Sequence, residues 1–224
     1  MLDVLAQQPE RGILTVNPMS SENAQVTAVA FSPDGKTLAT ASNDGTAQLW
    51  DVTTHHQIGP LMVAGSEVRA VAFSPDGKTL ATAGGDGTAR LWDVATYRQI
   101  GASVTGGSGD IGSGGVNAVA LSPDGKTLAT GSDDGTAWLW DVATHQQIGA
   151  PITAGSDYAL VSSMAFSPDG RTLANGNDDG TAQLWDVGFP GDLLKAVCAL
   201  AGRSLTDQEW NTYVPSRPFQ KTCS

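Results

Sequence analysis

Four copies of one pattern run through the chain, and each copy ends in Leu-Trp-Asp. A repeat of this length is typical of stacked architectures, in which each repeat forms one supersecondary unit. The pattern therefore predicts an array of similar units before any single residue is considered. The copies span residues 26–52, 68–94, 116–142 and 161–187, and their closing tryptophans Trp50, Trp92, Trp140 and Trp185 are 42, 48 and 45 residues apart.

Each copy reads as a set of short strands separated by turns. In the first copy an apolar run at residues 26–31 precedes Ser-Pro-Asp-Gly, where Pro presets the first turn position and Gly tolerates positive φ. A second strand, residues 36–42, ends in Asn-Asp-Gly, where Asp-Gly predicts a tight two-residue turn. A third strand, residues 46–52, and a weaker fourth, residues 57–63, complete the unit.

In these motifs the chain resembles the WD-repeat (WD40) family of β-propellers. Ser-Pro-Asp-Gly recurs at Ser74, Ser122 and Ser167, and Leu-Trp-Asp closes every copy. The resemblance implies an all-β fold. We expect a β-propeller of four WD40 blades, partial or completed by oligomerisation, with a short C-terminal α-helical appendage. The aspartates that the resemblance assigns to the turn of each blade are Asp44, Asp86, Asp134 and Asp179.

The Gly-His dipeptide that the family usually carries is missing, since all three histidines lie in connections after a Trp strand. In the family that imidazole joins a hydrogen-bond chain, through Ser or Thr and Asp, to the Trp indole. We expect the Ser partner to survive at Ser42 and Ser132 and to be replaced by Gly84 and Asn177 in the other copies. The indole N–H then needs another acceptor, and the blades are expected to be less stiff than in typical members.

The number of blades leaves three alternatives open. Four blades lie at the lower limit of a propeller ring, whereas WD-repeat proteins commonly use about seven. The chain is therefore part of a longer protein, one half of an assembled pair of chains, or a ring closed at four blades. Residues 12–16, within the N-terminal segment 1–25, resemble residues 59–63 and are expected to supply the outer strand of the last blade. The repeats are assigned to residues 26–67, 68–115, 116–159 and 160–187.

The composition is acidic and excludes two classes of partner. A net charge of −11 repels phosphate backbones, so nucleic-acid binding is not expected. No apolar run approaches the ~20 residues of a membrane helix, and the N-terminus lacks the apolar core of a secretory signal. The composition thus predicts a cytoplasmic protein that binds neither nucleic acid nor membrane.

After residue 187 the repeats stop and the pattern becomes helical. Apolar residues at three- and four-residue spacing predict a helix over residues 192–200, and a capping box at residues 206–209 predicts a second short helix. This tail, residues 188–224, resembles the ends of bacterial signalling proteins in which a STAND-type NTPase or Ser/Thr kinase module is followed by WD repeats. Cys198 and Cys223, the two cysteines, could form a disulfide or stay as reduced thiols.

Strings that imitate catalytic or metal sites have structural explanations. Residues 107–112 have dinucleotide-binding spacing but lack a strand-to-helix context, so a loop is expected. His55 and His56 suggest no third metal ligand. Strands that face a propeller channel offer mainly Val, Ala, Ser and Thr. We therefore expect no cofactor, no metal and no catalytic residue.

Positions that differ among the nearly identical copies mark the expected binding surface, because they are interpreted as positions that the scaffold leaves free. In the family these positions lie on the rim of one propeller face and contact partners. Arg69 is the expected anchor, since Arg is enriched in interface hot spots. Replacing Arg69 or Asp133 is expected to weaken binding without lowering the melting temperature. The rim set is Gln25, Thr27, Asn43, Glu67, Arg69, Gly85, Asn117, Asp133, Ser162 and Asp178, with Gly115 and Leu160 completing the ring.

A further variable set lies in the Trp strands and comprises Gln48, Arg90, Trp138 and Gln183. Trp138 is expected to pack between blades rather than to anchor a partner. The leading functional hypothesis is a non-catalytic scaffold that presents its rim to a partner protein or peptide. The alternative is a regulatory sensor that restrains an attached NTPase or kinase module, and a propeller enzyme ranks last.

Overall fold

The computed structural model describes residue 14 and residues 24–106, 114–154 and 159–188. These residues form β-strands joined by turns and contain no helix. The strands are β1 Val26–Phe31, β2 Thr37–Ser42, β3 Thr46–Asp51, β4 Gln57–Val63, β5 Val68–Phe73, β6 Thr79–Gly84, β7 Thr88–Asp93, β8 Gln99–Thr105, β9 Val116–Leu121, β10 Thr127–Ser132, β11 Thr136–Asp141, β12 Ile152–Thr153, β13 Val161–Phe166, β14 Thr172–Asn177 and β15 Ala182–Asp186.

The strands pair in chain order into four antiparallel sheets, each of which we call a blade. Strands β1 to β4, β5 to β8 and β9 to β12 form three four-stranded blades, and β13 to β15 form a three-stranded fourth blade. The strand predicted at residues 57–63 is confirmed as β4. The second and third strands are each one residue shorter than predicted. The Val52 amide still donates to the Lys36 carbonyl, but the Lys36 amide donates to the Asp34 carboxylate and not across the sheet.

Two kinds of turn close each blade, at opposite ends of the strands. In the Ser-Pro-Asp-Gly turn, Gly35 has φ 70° and the Ser32 hydroxyl donates to Asp34 at 2.7 Å. That hydroxyl and the Lys36 amide hold the pKa of Asp34 below its ordinary value. The Asp-Gly turn is not the predicted two-residue turn. Residues 43–45 separate β2 from β3, because Gly45 takes φ 87° as a third loop residue.

Each blade presents a face of large side chains to the preceding blade and a face of small ones to the following blade. In the second blade the large-residue face carries Val68, Leu80 and Trp92, which pack against alanines and Leu49 of the first blade. Its small-residue face carries Ala81, Ala83, Ala89 and Leu91, which pack against Val116, Leu128 and Trp140 of the third blade. The third and fourth blades join in the same way.

Loop contacts repeat at the same junctions. A Cβ added to Gly77 would lie 3.5 Å from Cδ of Pro33 in the preceding blade, and the Gly125 and Gly170 positions meet Pro75 and Pro123 likewise. On the outer side, a Cβ on Gly59 would overlap the ring of Tyr97 in the following blade. A Cβ on Gly101 would overlap His145, whose Nδ1 lies 2.7 Å from the Ala102 carbonyl.

The described blades form an open arc. Val26 is 48% exposed, whereas its counterparts Val68, Val116 and Val161 are all 0% exposed. At the other end Leu184 is 75% exposed. A ring closed at four blades would bury both ends against each other, so that alternative does not agree with the structure. The expected closing strand at residues 12–16 lies outside the described residues apart from Leu14, and the C-terminal helices with Cys198 and Cys223 lie outside them entirely.

Candidate protein-interaction rim

The residues of the rim set identified in the sequence lie together at one end of the blades, which we call the upper rim. The residue before each first strand pairs with the residue after each second strand. Asn43 donates its amide to the Gln25 carbonyl at 3.1 Å, and its Oδ1 accepts the Gln25 amide at 2.8 Å. The same backbone bond joins Gly85 to Glu67, Asp133 to Gly115 and Asp178 to Leu160. Whether these residues bind a partner stays a prediction.

Arg69 is the centre of a polar network on this rim. Its Nε lies 3.2 Å from Glu67 in its own blade. Its Nη1 donates across the junction to Asn117 at 2.8 Å and to Asp133 at 3.0 Å in the third blade. A Cβ on Gly115 would overlap this guanidinium, so the absence of a side chain there makes room for Arg69. The Arg69 side chain keeps 29% of its surface exposed.

Asp133 accepts hydrogen bonds from three residues. It accepts the Gly115 amide at 2.7 Å, the Asn117 side-chain amide at 2.6 Å and the Arg69 guanidinium. Burial raises the pKa of Asp133, but these three donors outweigh burial and leave the pKa below its ordinary value. The pKa of Arg69 is raised: burial lowers it, and Asp133 and Glu67 more than compensate. Both groups therefore stay charged on the rim at neutral pH.

The second residue of the first strand in each of the first three blades reaches into the next blade. Thr27 donates its hydroxyl to the Val68 carbonyl, and Asn117 donates its side-chain amide to the Val161 carbonyl at 3.3 Å. Arg69 makes the corresponding link in the middle junction. Ser162, in the last blade, bonds to the Gly176 carbonyl of its own blade instead. The interpretation that the variable positions are free of the scaffold is therefore wrong for Thr27, Arg69 and Asn117.

The acceptor for each Trp indole lies ten residues before it, on the neighbouring strand. Trp50, Trp92 and Trp140 each donate Nε1 at 3.0 Å to a buried threonine hydroxyl, of Thr40, Thr82 and Thr130 respectively. Trp185 donates to Asn175 at 2.6 Å. The expected alternative acceptor therefore exists, but the assignment of Ser42 and Ser132 as the Ser partners is wrong. Leu-Ala-Thr in three of the four copies is the sequence signal that would have identified it.

The turn residues show why the copies differ at Gly84. A Cβ at residue 84 would lie only 2.5 Å from an Asp86 carboxylate oxygen, so glycine leaves room for that carboxylate. The carboxylate forms an ion pair with Arg90 at 2.7 Å. Burial raises the pKa of Asp86, but the hydrogen bonds from Arg90 and Thr88 outweigh burial and leave the pKa below its ordinary value. The substitutions at Gly84 and Arg90 thus belong to one local arrangement.

Trp138 packs as the sequence predicted. It stacks on Trp140 with ring centroids 6.1 Å apart, and it lies against the buried cluster between the second and third blades. Its indole N–H donates to Thr136 at 2.8 Å. The aromatic pair therefore contributes to the junction beneath the rim.

The rim becomes more acidic along the arc. The turns carry Asn-Asp in the first blade, Gly-Asp in the second and Asp-Asp in the third and fourth. Asp134, Asp178 and Asp179 are exposed, and Arg69 neutralises Asp133 only in part. Within the described ranges, no three His, Cys, Asp or Glu side chains come close enough together to hold a metal ion.

An arc of antiparallel blades, each with a Trp in its third strand that is buried in the first three blades, and each with a polar rim, defines a propeller-type repeat protein. Four stretches of the chain match the family model described as WD domain, G-beta repeat, at residues 15–51, 56–93, 105–141 and 150–186. The chain belongs to the WD40 repeat family. It matches none of the curated proteins. In the part of the chain that the structure describes, no helix has the length and apolarity to span a bilayer.

Proposed function

We propose that this chain is a non-catalytic scaffold whose upper rim binds a partner protein. WD40 repeats generally serve as scaffolds for protein–protein interaction. The observation that carries the proposal is the network of Arg69 with Glu67, Asn117 and Asp133. It holds a partly exposed guanidinium in a defined position between two blades. A preorganised Arg loses little conformational entropy on binding and is a frequent interface anchor.

The surroundings of Arg69 favour a partner with basic side chains. Glu67, Asp133 and Asp178 share the rim with the exposed turn aspartates, and the whole chain carries a net charge of −11. Such a surface accelerates association with a cationic partner and makes binding weaken as salt rises. Arg69 would then select, among basic partners, those that also place a carboxylate or a carbonyl at the second junction.

The fourth blade offers a matched pair of variants that separates the two ends of the strands. Asp178 and Asp169 are both exposed, and each accepts one backbone amide, from Leu160 and from Arg171 respectively. They lie at opposite ends of β14, Asp178 on the upper rim and Asp169 in the Ser-Pro-Asp-Gly turn. Replacing either by alanine removes the same charge and one backbone turn bond, and Asp169→Ala also removes the bond from the Ser167 hydroxyl.

The test is quantitative affinity capture with the full chain as bait, comparing wild type with the Asp178→Ala, Glu67→Ala and Asp169→Ala variants. A hot-spot loss above about 1 kcal/mol reduces affinity about fivefold. We expect the captured partner to fall by that factor with Asp178→Ala or Glu67→Ala and to stay at the wild-type level with Asp169→Ala. A partner that responds to Asp169→Ala and not to the rim variants would reject the upper rim as the binding surface.

A further inference from the structure

The two ends of the arc are the two halves of a junction that the chain already forms three times. We propose that they bind each other between copies of this chain. The large-residue face of the first blade in one copy would pack on the small-residue face of the fourth blade in another. This contact is separate from partner binding on the upper rim. It does not involve Arg69 or its partners Glu67, Asn117 and Asp133.

The first-blade end carries the exposed large side chains. Val26, Val29 and Phe31 are 48%, 59% and 62% exposed. In the later blades the equivalent valines Val68, Val116 and Val161 are 0% exposed, and Phe73 and Phe166 pack against the preceding blade. Three exposed apolar side chains on one strand are the surface that a preceding blade covers elsewhere in the arc.

The fourth-blade end carries the complementary face, which consists mainly of alanine and one leucine in each blade. Leu184 is 75% exposed, whereas its counterparts Leu49, Leu91 and Leu139 are 1%, 3% and 8% exposed beneath the following blade. Ala182 is exposed, although Ala47, Ala89 and Ala137 in the same position are buried. The exposure at this end therefore belongs to residues that a following blade buries at every internal junction.

The loops at the two ends of the arc are also complementary to each other. Prolines of the first three blades pack on Gly77, Gly125 and Gly170 of the blade that follows. At the ends, Pro168 occupies the proline position of the fourth blade, and no described residue lies within 4 Å of a Cβ added to Gly35 of the first blade. On the outer side of the internal junctions, the rings of Tyr97 and His145 cover glycines of the preceding blade. His55 is the corresponding residue of the first blade, and its φ of 62° is close to their values of 61° and 59°. A second copy would bring Pro168 to Gly35.

A second copy is the occupant that fits both ends at once. The faces differ from each other, so the contact is head-to-tail, and two head-to-tail contacts can close two chains into a ring. Two arcs of four blades make eight, the upper end of the range that propellers use. Burial of these exposed apolar faces also removes a surface that would otherwise promote irregular association.

The test measures the mass of the full chain in solution by light scattering and native mass spectrometry over a range of concentrations. Wild type is expected at twice the chain mass. Phe31→Asp and Leu184→Asp each damage one end, so each variant alone is expected to be monomeric. Val63→Asp is the control, since Val63 is 52% exposed but occupies a position where Thr105 and Thr153 are exposed as well.

Mixing the two monomeric variants distinguishes a head-to-tail contact from other dimers. The intact Leu184 end of the Phe31→Asp variant can bind the intact Phe31 end of the Leu184→Asp variant. A mixed dimer should therefore return, at higher concentration than wild type because one contact replaces two. The proposal would be overturned by a monomeric wild type or by a dimer that survives both end substitutions. It would also be overturned if Val63→Asp abolished the dimer or if the mixture of the two end variants stayed monomeric. Circular dichroism of each variant verifies that the blades remain folded.

Discussion

The ring of Tyr97 lies directly against the backbone of Gly59 in the preceding blade, so that a Cβ on Gly59 would overlap three ring atoms. His145 covers Gly101 in the same way at the next junction. Both aromatic residues have positive φ, near 60°, although neither is glycine. An unfavourable backbone conformation is therefore retained where it directs a flat side chain onto the neighbouring blade.

Gly59→Ala should destabilise the fold more than Gly149→Ala. Both glycines have positive φ, 66° and 72°, so alanine incurs a similar backbone cost at each. Gly149 has nothing within 4 Å of an added Cβ among the described residues, whereas Gly59 has the Tyr97 ring. We expect the difference in free energy of unfolding to be about 1–3 kcal/mol, the usual cost of overpacking. Urea denaturation of both variants measures it, and equal effects would contradict the ring contact.

Thr82→Val should destabilise the second blade by about 1–3 kcal/mol, because it leaves a buried indole N–H without its acceptor. The substitution keeps the side-chain shape and removes only the hydroxyl that Trp92 uses at 3.0 Å. Thr82→Ser keeps the hydroxyl and should lose less. Chemical denaturation of both variants compares them, and a valine variant as stable as the serine variant would show that another acceptor serves Trp92.

Arg69→Ala should lower the free energy of unfolding by about 1 kcal/mol, since partly exposed ion pairs contribute roughly 0.2–1 kcal/mol and this one also bonds to Asn117. This outcome differs from the unchanged melting temperature expected from the sequence. Arg98→Ala, at an exposed position, should stay within about 0.5 kcal/mol of wild type. An Arg69→Ala protein as stable as the Arg98→Ala protein would mean that the network does not couple the blades.

The stability of the arc should fall in acid. The Ser-Pro-Asp-Gly aspartates Asp34, Asp76, Asp124 and Asp169 all have pKa values below 3.8, chiefly because the serine two residues earlier donates to each carboxylate. A depressed pKa in the folded state means that the stabilisation is present above pH 3.8 and is lost as the pH falls through the folded-state values. Denaturation between about pH 6 and pH 2 measures the slope. Ser122→Ala should make that slope shallower, and an unchanged slope would exclude the serine bond as its cause.

Strand positions were the part of the fold most accessible from sequence. The four-residue turn motifs bracket each strand closely, so β4 is predicted at its observed bounds and β2 within one residue. The type of the turn after β2 was predicted wrongly, although the predicted strand bounds left residues 43–45 between the strands, because Asn-Asp-Gly suits both a two-residue turn and a turn extended by a left-handed Gly45. Only the pairing of β2 with β3 decides between them.

The roles of the rim residues were less accessible, for a physical reason. Variation between copies identifies Thr27, Arg69 and Asn117, but it cannot separate a residue that is free from one that matches a different neighbour. Arg69 differs from Thr27 because its partners Asn117, Asp133 and the bare Gly115 differ too. Such dependence between blades becomes visible only when the junction distances are known.

Each blade has large side chains on one face and mainly alanine, with a leucine, on the other, and this polarity determines how such an arc can change length. A duplicated repeat would meet a prepared surface on both sides wherever it was inserted, and a deleted one would leave two surfaces that already match. The array can therefore grow or shrink by whole units without redesign of its interior, while the rim residues of each unit remain free to diverge in pairs.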